Sequence, residues 1–157
     1  MKTLKTKPKY LARVYYFLKN YPPAKVQTID DIRRIWSILS STEELVSDFI
    51  KVQNKITEIG DKVRRKEITE AEGNKILETV TNEMIELNNK DNIAELQLDN
   101  DDFNTLFNLV NPEIKTIFVT IEDVISFDKS LNEANRQPKE KKEEEKKEEK
   151  ENGSEKK

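Results

Sequence analysis

The stretch that decides the fold is IWSILSSTEELVSDFIKVQNKITEIGDKV, which runs from Ile35 to Val63. Its apolar residues recur at alternating spacings of three and four over four heptads, which is the period of one face of an α-helix. Only Thr42 interrupts the stripe with a polar side chain. We therefore predict that this stretch is helical. The stripe consists of Ile35, Ile38, Thr42, Leu45, Phe49, Val52, Ile56, Ile59 and Val63.

Capping residues mark where this helix begins and where it could be interrupted. Thr28 followed by Asp31 is typical of a helix N-cap with acidic residues in the first turn. Ser41 and Glu44 also form a capping box, so a break or kink near Ser40 is left open. Cations at 64–66 suit the C-terminal end of the helix dipole.

A second helix follows after a short turn. Thr69 and Glu72 form a capping box, and an apolar face continues to about Asn88 through Ile76, Val80, Met84 and Leu87. Two helices joined by so short a turn are expected to pack as an antiparallel pair. We predict an all-α or nearly all-α fold: a long antiparallel helical hairpin from Thr28 to Asn88, with a short N-terminal element and two C-terminal helices.

The chain before the hairpin divides into a polar and an apolar part. We predict that residues 1–9 form a flexible basic arm and that residues 10–137 form a single helical domain. The apolar element at 10–21 fits a helical face through Leu11, Val14, Tyr15 and Leu18, or one side of a strand through Val14, Tyr16 and Leu18. A run this short leaves both open. The high helix propensity of Leu-Ala-Arg at 11–13 favours the helix.

The C-terminal part contains two further helical patterns and a charged tail. Residues 93–98 alternate weakly and leave open a short edge strand or irregular structure, and Asp99 or Asn100 then caps a short helix. Pro112 at a first helical position predicts a last helix from 111 to about 135. Its face would present Ile114, Ile117, Phe118, Ile121, Val124, Ile125 and Leu131. The Lys/Glu tail at 138–157 has no aliphatic or aromatic side chain to bury, so we predict that it is disordered.

The composition excludes several kinds of chemistry. The chain contains no Cys and no His, which removes disulfides, the usual zinc sites and catalysis by Ser-His-Asp or Cys-His. Its three glycines are far apart and cannot form a phosphate-binding loop. The acidic cluster at 99–102 lacks the Gly and Glu that a Ca²⁺-binding EF-hand requires. We predict no catalytic, cofactor-binding or metal-binding residues, and hence no enzymatic activity.

The first 36 residues carry nine Lys or Arg residues against two Asp residues, whereas the chain as a whole has a net charge of −3. Aromatic residues are interleaved with these cations in KPKYLARVYYFLKNYPPAK at 7–25, as in a surface that binds single-stranded nucleic acid. The alternative is that the aromatic residues pack in the core while the lysines are solvated. The candidates for nucleic-acid binding are Lys5, Lys7, Lys9, Arg13, Lys19, Arg33 and Arg34.

The helical stripe also provides candidates for a protein interface. Trp36 lies one position off the stripe, where core packing is the expected role and an anchor at an interface is the alternative. With Phe49, Val52 and Ile56 it would form the exposed contact surface of the hairpin. A heptad pattern of this length also suits self-association.

The layout resembles that of small, mostly helical proteins from tailed-phage genomes. The similar segments are VYYFLKNY, DDIRRIWSIL, STEELVSDFI and ELNNKDNIAELQLDNDDFNTLF, within residues 11–133. The resemblance implies a phage-encoded protein without matching catalytic or binding residues. We therefore expect a non-enzymatic protein-interaction or assembly protein, located in the cytoplasm of the host cell or in the virion, with a protein partner or a second copy. The alternative is a nucleic-acid-binding accessory protein that uses the basic N-terminal region. We expect no membrane association and no small-molecule substrate.

Overall fold

A computed structural model describes residues 1–137; the Lys/Glu tail predicted to be disordered lies outside the described residues. The predominantly helical fold is confirmed. The helices are α1 Pro8–Lys19, α2 Ile29–Glu43, α3 Ser47–Arg64, α4 Glu70–Asn88, α5 Asn100–Val110, α6 Ile114–Ile117 and α7 at 121–137, and the strands are β1 Lys2–Thr6 and β2 Ala94–Leu98. Short 3₁₀ turns lie at Pro23–Lys25 and Asn111–Glu113.

The prediction of a flexible basic arm over residues 1–9 is wrong for the residues that form β1. These residues pair antiparallel with β2, and Leu4 lies opposite Leu96 in the register. The side chains of Leu4 and Thr6 point into the core, where Leu4 is fully buried. Lys5 alternates with these inward positions and is exposed, whereas Lys2 lies on the same face as Leu4, with its Nζ 4.8 Å from the ring centroid of Phe103.

The apolar element at 10–21 is a helix, and α1 begins two residues earlier than that element at Pro8. Pro8 stands in the first turn, where its missing N–H costs no hydrogen bond. The inner face of α1 is part of the main core. It consists of Tyr10, Leu11, Val14, Tyr15 and Leu18, all of them buried.

The long helical stretch is divided into α2 and α3 by a turn at 44–46, near the position where the sequence left a break open. The Ser41 capping box does not start the second segment, because Ser41 lies within α2. Thr42 is buried, and its hydroxyl donates to the carbonyl of Ile38 at 2.7 Å. A threonine that bonds the preceding turn often bends a helix. The break follows directly after it.

The antiparallel hairpin that was predicted from Thr28 to Asn88 consists of α3 and α4, which pack against each other, whereas α2 packs against α5 and α1. Thr69 caps α4 by accepting a hydrogen bond from the N–H of Glu72 at 3.1 Å. The N–H of Glu67 bonds the carbonyl of Lys62 and the N–H of Lys66 bonds that of Val63, which together make a Schellman motif at the end of α3. Lys66 has a φ of 61° and occupies the left-handed position that usually carries glycine.

The prediction of one C-terminal helix from 111 to about 135 is also wrong. Pro112 starts a 3₁₀ turn, α6 ends at Ile117, and Phe118 is extended before α7 begins at 121. Phe118 is buried between the rings of Tyr10 and Phe127, at centroid distances of 5.4 and 4.8 Å. Burial of this ring requires the chain to turn there. The turn changes the helical register, so Ile121 and Ile125 of the predicted face point to solvent.

Candidate functional site

The outer face of α2 carries a stripe of exposed apolar side chains. Ile29, Ile32 and Trp36 are exposed to 69 %, 41 % and 73 %, and their spacing of three and four places them on one side of the helix. We call these three residues the outer α2 face. The opposite side of α2 presents Ile35 and Ile38 to the core. The expectation that Trp36 packs in the core is wrong, because its side chain is exposed.

Polar contacts hold α2 against α5 and thereby fix which side of α2 faces outward. Ser37 donates to the carboxylate of Asp102 at 2.8 Å, and the guanidinium of Arg34 lies 3.6 Å from the same carboxylate. Asp102 is mostly buried, so both partners compensate for its lost hydration. Thr28 caps α2 by accepting from the N–H of Asp31 at 3.1 Å, as predicted.

The other predicted interface residues do not form a surface with Trp36. Phe49 and Val52 are buried and Ile56 is half-buried. Val52 and Ile56 belong to a small core between α3 and α4, whereas Phe49 packs in the main core next to α1. Every position of the heptad stripe is at least partly buried, because α4, α1 and their neighbours cover it. This part of the predicted contact surface is therefore used inside the molecule.

The seven basic residues that were predicted to bind nucleic acid do not form one surface, because they contact different groups of the protein. Four of them lie within 4 Å of acidic side chains: Lys5 with Glu95, Lys7 with Asp91, Arg33 with Asp30, and Arg34 with Asp101 and Asp102. Lys19 lies over the ring of Tyr15, with 5.8 Å between Nζ and the ring centroid. Lys9 and Arg13 differ from the rest because both line a pocket beside α1.

The aromatic residues of 7–25 are divided in the same way. Tyr10 and Tyr15 are buried in the core, whereas Tyr16, Phe17 and Tyr21 are half-buried and line the pocket that Lys9 and Arg13 also line. The two interpretations of this stretch, core element and exposed basic surface, each describe one side of α1. The spacing of the aromatic residues along α1 places the buried rings on one side of the helix and the half-buried rings on the other.

One hydrogen bond ties α1 to the start of α7. Tyr10 donates its phenolic hydroxyl to Asp123 at 2.9 Å. Burial and this bond to a carboxylate raise the pKa of Tyr10. Burial opposes ionisation of Asp123, but hydrogen bonds from Tyr10 and Thr120 and the positive charges of Lys9 and Arg13 outweigh it, so the pKa of Asp123 lies below its ordinary value. The carboxylate is therefore ionised at neutral pH.

The acidic cluster at 99–102 has the capping role expected as the alternative to a metal site. Asp99 accepts a hydrogen bond from the N–H of Asp102 at 2.7 Å and so caps α5. Among residues 1–137, no group of three or more His, Cys, Asp or Glu side chains is arranged to hold a metal ion. In the same part of the chain, no helix combines the length and apolar character needed to cross a bilayer.

The sequence contains signals for two features that the predictions missed. Ile29, Ile32 and Trp36 form a second apolar stripe of helical spacing, which the longer heptad stripe through Ile35 obscures. Lys25 follows Pro22 and Pro23 in a turn, and the 3₁₀ geometry of that turn brings it to the pocket beside α1. Only the fold shows which helix face each stripe occupies.

Comparison with known proteins adds no family assignment, since no protein-family model, curated protein or solved structure matches the chain.

Proposed function

We propose that this is a non-enzymatic protein-interaction protein that associates through the outer α2 face. The observation that carries the proposal is the 73 % exposure of Trp36 beside two exposed isoleucines on one helix. Tryptophan is enriched among the residues that dominate binding energy at interfaces. Contiguous exposed apolar side chains on a helix are typical of a surface that another protein covers.

The occupant we propose is a second copy of the chain, because the charges beside the stripe are self-complementary. Asp30 and Arg33 lie on the same edge of the outer α2 face, one helical turn apart, and are 3.2 Å from each other. If two α2 helices pack antiparallel about a two-fold axis near Ile32, each Asp30 faces the Arg33 of the other copy. In the same register, Ile29 of each copy lies opposite Trp36 of the other.

The expected association is weak. A helix of 15 residues is about 22 Å long at 1.5 Å per residue, so one helix pair buries less than a standard-size interface of about 1,200–2,000 Å². We therefore expect a transient dimer that dissociates on dilution. The proposal includes an assembly role, a phage origin and a location in the host cytoplasm or the virion, which rest on the composition and layout of the sequence.

The test uses Trp36, which is the one tryptophan of the chain and therefore reports on the outer α2 face alone. Sedimentation velocity and tryptophan emission with an added quencher are measured over a concentration series. We expect dimers to form as concentration rises, together with a blue shift and slower quenching of Trp36. A sedimentation coefficient and an emission maximum that do not change with concentration would contradict self-association through this face.

Matched variants locate the interface. Ile32→Glu should abolish the dimer, whereas Ile76→Glu changes an equally exposed isoleucine on α4, at 44 %, and should leave it intact. Asp30→Lys and Arg33→Glu should each weaken self-association, since like charges then face each other. Mixing these two variants should restore association as a heterodimer. If the mixture stays monomeric, the antiparallel register is wrong.

A further inference from the structure

A pocket with a volume of about 780 Å³ lies beside α1. The side of α1 that faces away from the main core supplies Lys9, Arg13, Tyr16 and Phe17, and the turn that follows supplies Tyr21 and Lys25. Segments of α3, α4 and residues 113–117 form the other walls. We call this cavity the α1 pocket. Its volume is in the range of small-molecule sites, about 300–1,000 Å³.

The charges around the α1 pocket favour an anion. Lys9, Arg13 and Lys25 line it with Glu113 as the one carboxylate among the lining residues. None of the ion pairs found within residues 1–137 involves these three cations, but Lys9 and Arg13 are close enough to the ionised Asp123 to lower its pKa, so two carboxylates stand against three cations. This is a local excess of positive charge in a chain whose net charge is −3. A concave site with an excess of one charge concentrates ligands of the opposite charge.

Arg13 is held in place at the pocket wall. One guanidinium nitrogen of Arg13 donates to the carbonyl of Ile117 at 3.3 Å. A guanidinium has five N–H donors, so this contact orients the group and leaves donors for a ligand. The planar fork matches the geometry of phosphate oxygens. Arg13 therefore offers further N–H donors at the pocket wall.

Aromatic rings form the apolar part of the same pocket. Tyr16, Phe17 and Tyr21 are half-buried, so each keeps part of its ring accessible. Phe17 and Tyr21 pack edge to face, with centroids 5.6 Å apart and planes at 70°. In an edge-to-face pair, one ring face is not covered by its neighbour. Such surfaces accept the flat face of a nucleobase without regard to its sequence.

From this combination we propose that the α1 pocket binds a nucleotide, with its phosphate at Arg13 and Lys25 and its base against Tyr21 and Phe17. The ligand is a single nucleotide rather than a long strand, because Lys5, Lys7, Arg33 and Arg34 are paired with acids of this chain. Of the seven basic residues predicted to bind nucleic acid, Lys9 and Arg13 are the two that line the pocket. A free nucleotide and one unit of a single strand share the required chemistry.

Calorimetric titration of the full chain at about 50 mM salt, where phosphate contacts are strong, tests the proposal. The probes are AMP, adenosine, ribose 5-phosphate, and a single-stranded (dT)10. We expect AMP to bind more tightly than adenosine or ribose 5-phosphate, since only AMP offers both base and phosphate. Affinity for (dT)10 no greater than that for AMP supports a free nucleotide, and greater affinity that depends on the same residues overturns it in favour of a single strand.

Variants of the pocket provide the matched controls. Lys25→Gln and Tyr21→Leu should each weaken AMP binding about tenfold, the range of one charged hydrogen bond or one stacked base. Lys75→Gln alters an exposed lysine on α4 that does not line the pocket and should have no effect. The proposal is overturned if AMP does not bind at millimolar concentration, if ribose 5-phosphate binds as tightly as AMP, or if Lys75→Gln weakens binding as much as Lys25→Gln. Loss of dimerisation through α2 leaves this test unaffected.

Discussion

The contact between α3 and α4 makes a quantitative prediction about the two glycines of the hairpin. Gly73 on α4 lies so close to α3 that a Cβ added to it would be 2.6 Å from Cγ2 of Val63. Gly60 on α3 has no atom within 4 Å of the corresponding position. Both residues are in helices, where replacing glycine with alanine stabilises the helix by about 0.5–1 kcal/mol.

We expect Gly60→Ala to increase the free energy of unfolding by that amount. Gly73→Ala gains the same helical term but must displace Val63, a short β-branched side chain with one rotatable bond. Overpacking of this kind costs about 1–3 kcal/mol. The two variants should therefore differ by about 1–3 kcal/mol, with Gly73→Ala less stable than the parent chain by about 1 kcal/mol.

Urea unfolding followed by circular dichroism measures both variants, with the slope against urea compared to confirm that the same surface is exposed. A Val63→Ala background isolates the contact, since it removes the Cγ2 atom that the methyl group added by Gly73→Ala would meet. In that background, Gly73→Ala should stabilise the protein as Gly60→Ala does, giving a coupling energy of about 1–3 kcal/mol. Equal stabilisation by both single substitutions would refute the close approach of the two helices.

Three further substitutions test other parts of the fold. Leu4→Ala should lower the free energy of unfolding by about 2–5 kcal/mol, measured by urea unfolding, whereas a flexible arm would give no change. Lys66→Gly should raise it by up to about 1 kcal/mol, since a left-handed backbone is unfavourable for lysine; a loss of stability would contradict the Schellman motif. Tyr10→Phe should cost about 1 kcal/mol at neutral pH. The stability difference between the two proteins should shrink as pH falls below about 4. The pKa of Asp123 is lowered in the folded protein, so its ionised carboxylate stabilises the fold fully above its ordinary pKa and loses this effect as it is protonated. The difference should also shrink above about pH 10. The pKa of Tyr10 is raised in the folded protein, so its protonated hydroxyl stabilises the fold fully below its ordinary pKa and loses this effect as it is deprotonated. Unfolding of both proteins from about pH 3 to pH 11 checks this, and a constant difference would contradict it.

The sequence predicted correctly those features of the helices that depend only on residues close to one another in the chain. The caps at Thr28 and Thr69 were predicted, and Asp99 was one of two predicted caps with Asn100; each of the three side chains accepts a backbone hydrogen bond. The heptad stripe predicted the helical stretch that contains α2 and α3, and a separate apolar face predicted α4, since helical periodicity is a local property. These features require no knowledge of which segments meet in the fold.

The errors occur where distant segments determine the structure. β1 is a strand because β2 pairs with it from more than 85 residues away, and nothing in residues 1–9 indicates that partner. The break at Phe118 depends on Tyr10 and Phe127, whose rings surround it. The α1 pocket likewise combines residues from 9 to 117, so the sequence shows its basic and aromatic components but not their concave arrangement.

The outer α2 face is exposed although its side chains are apolar. A helix at the surface of a globular protein usually has one apolar face and one polar face, and a helix that is apolar on both sides is usually covered on both. Ile35 and Ile38 place one side of α2 in the core, while Ile29 and Trp36 leave the other side exposed. Arg34 and Ser37 fix this orientation through Asp102, so α2 cannot rotate to bury the second stripe without losing those contacts. A second molecule that covers Trp36 removes the conflict, which is why we assign the interaction to this face rather than to the heptad stripe.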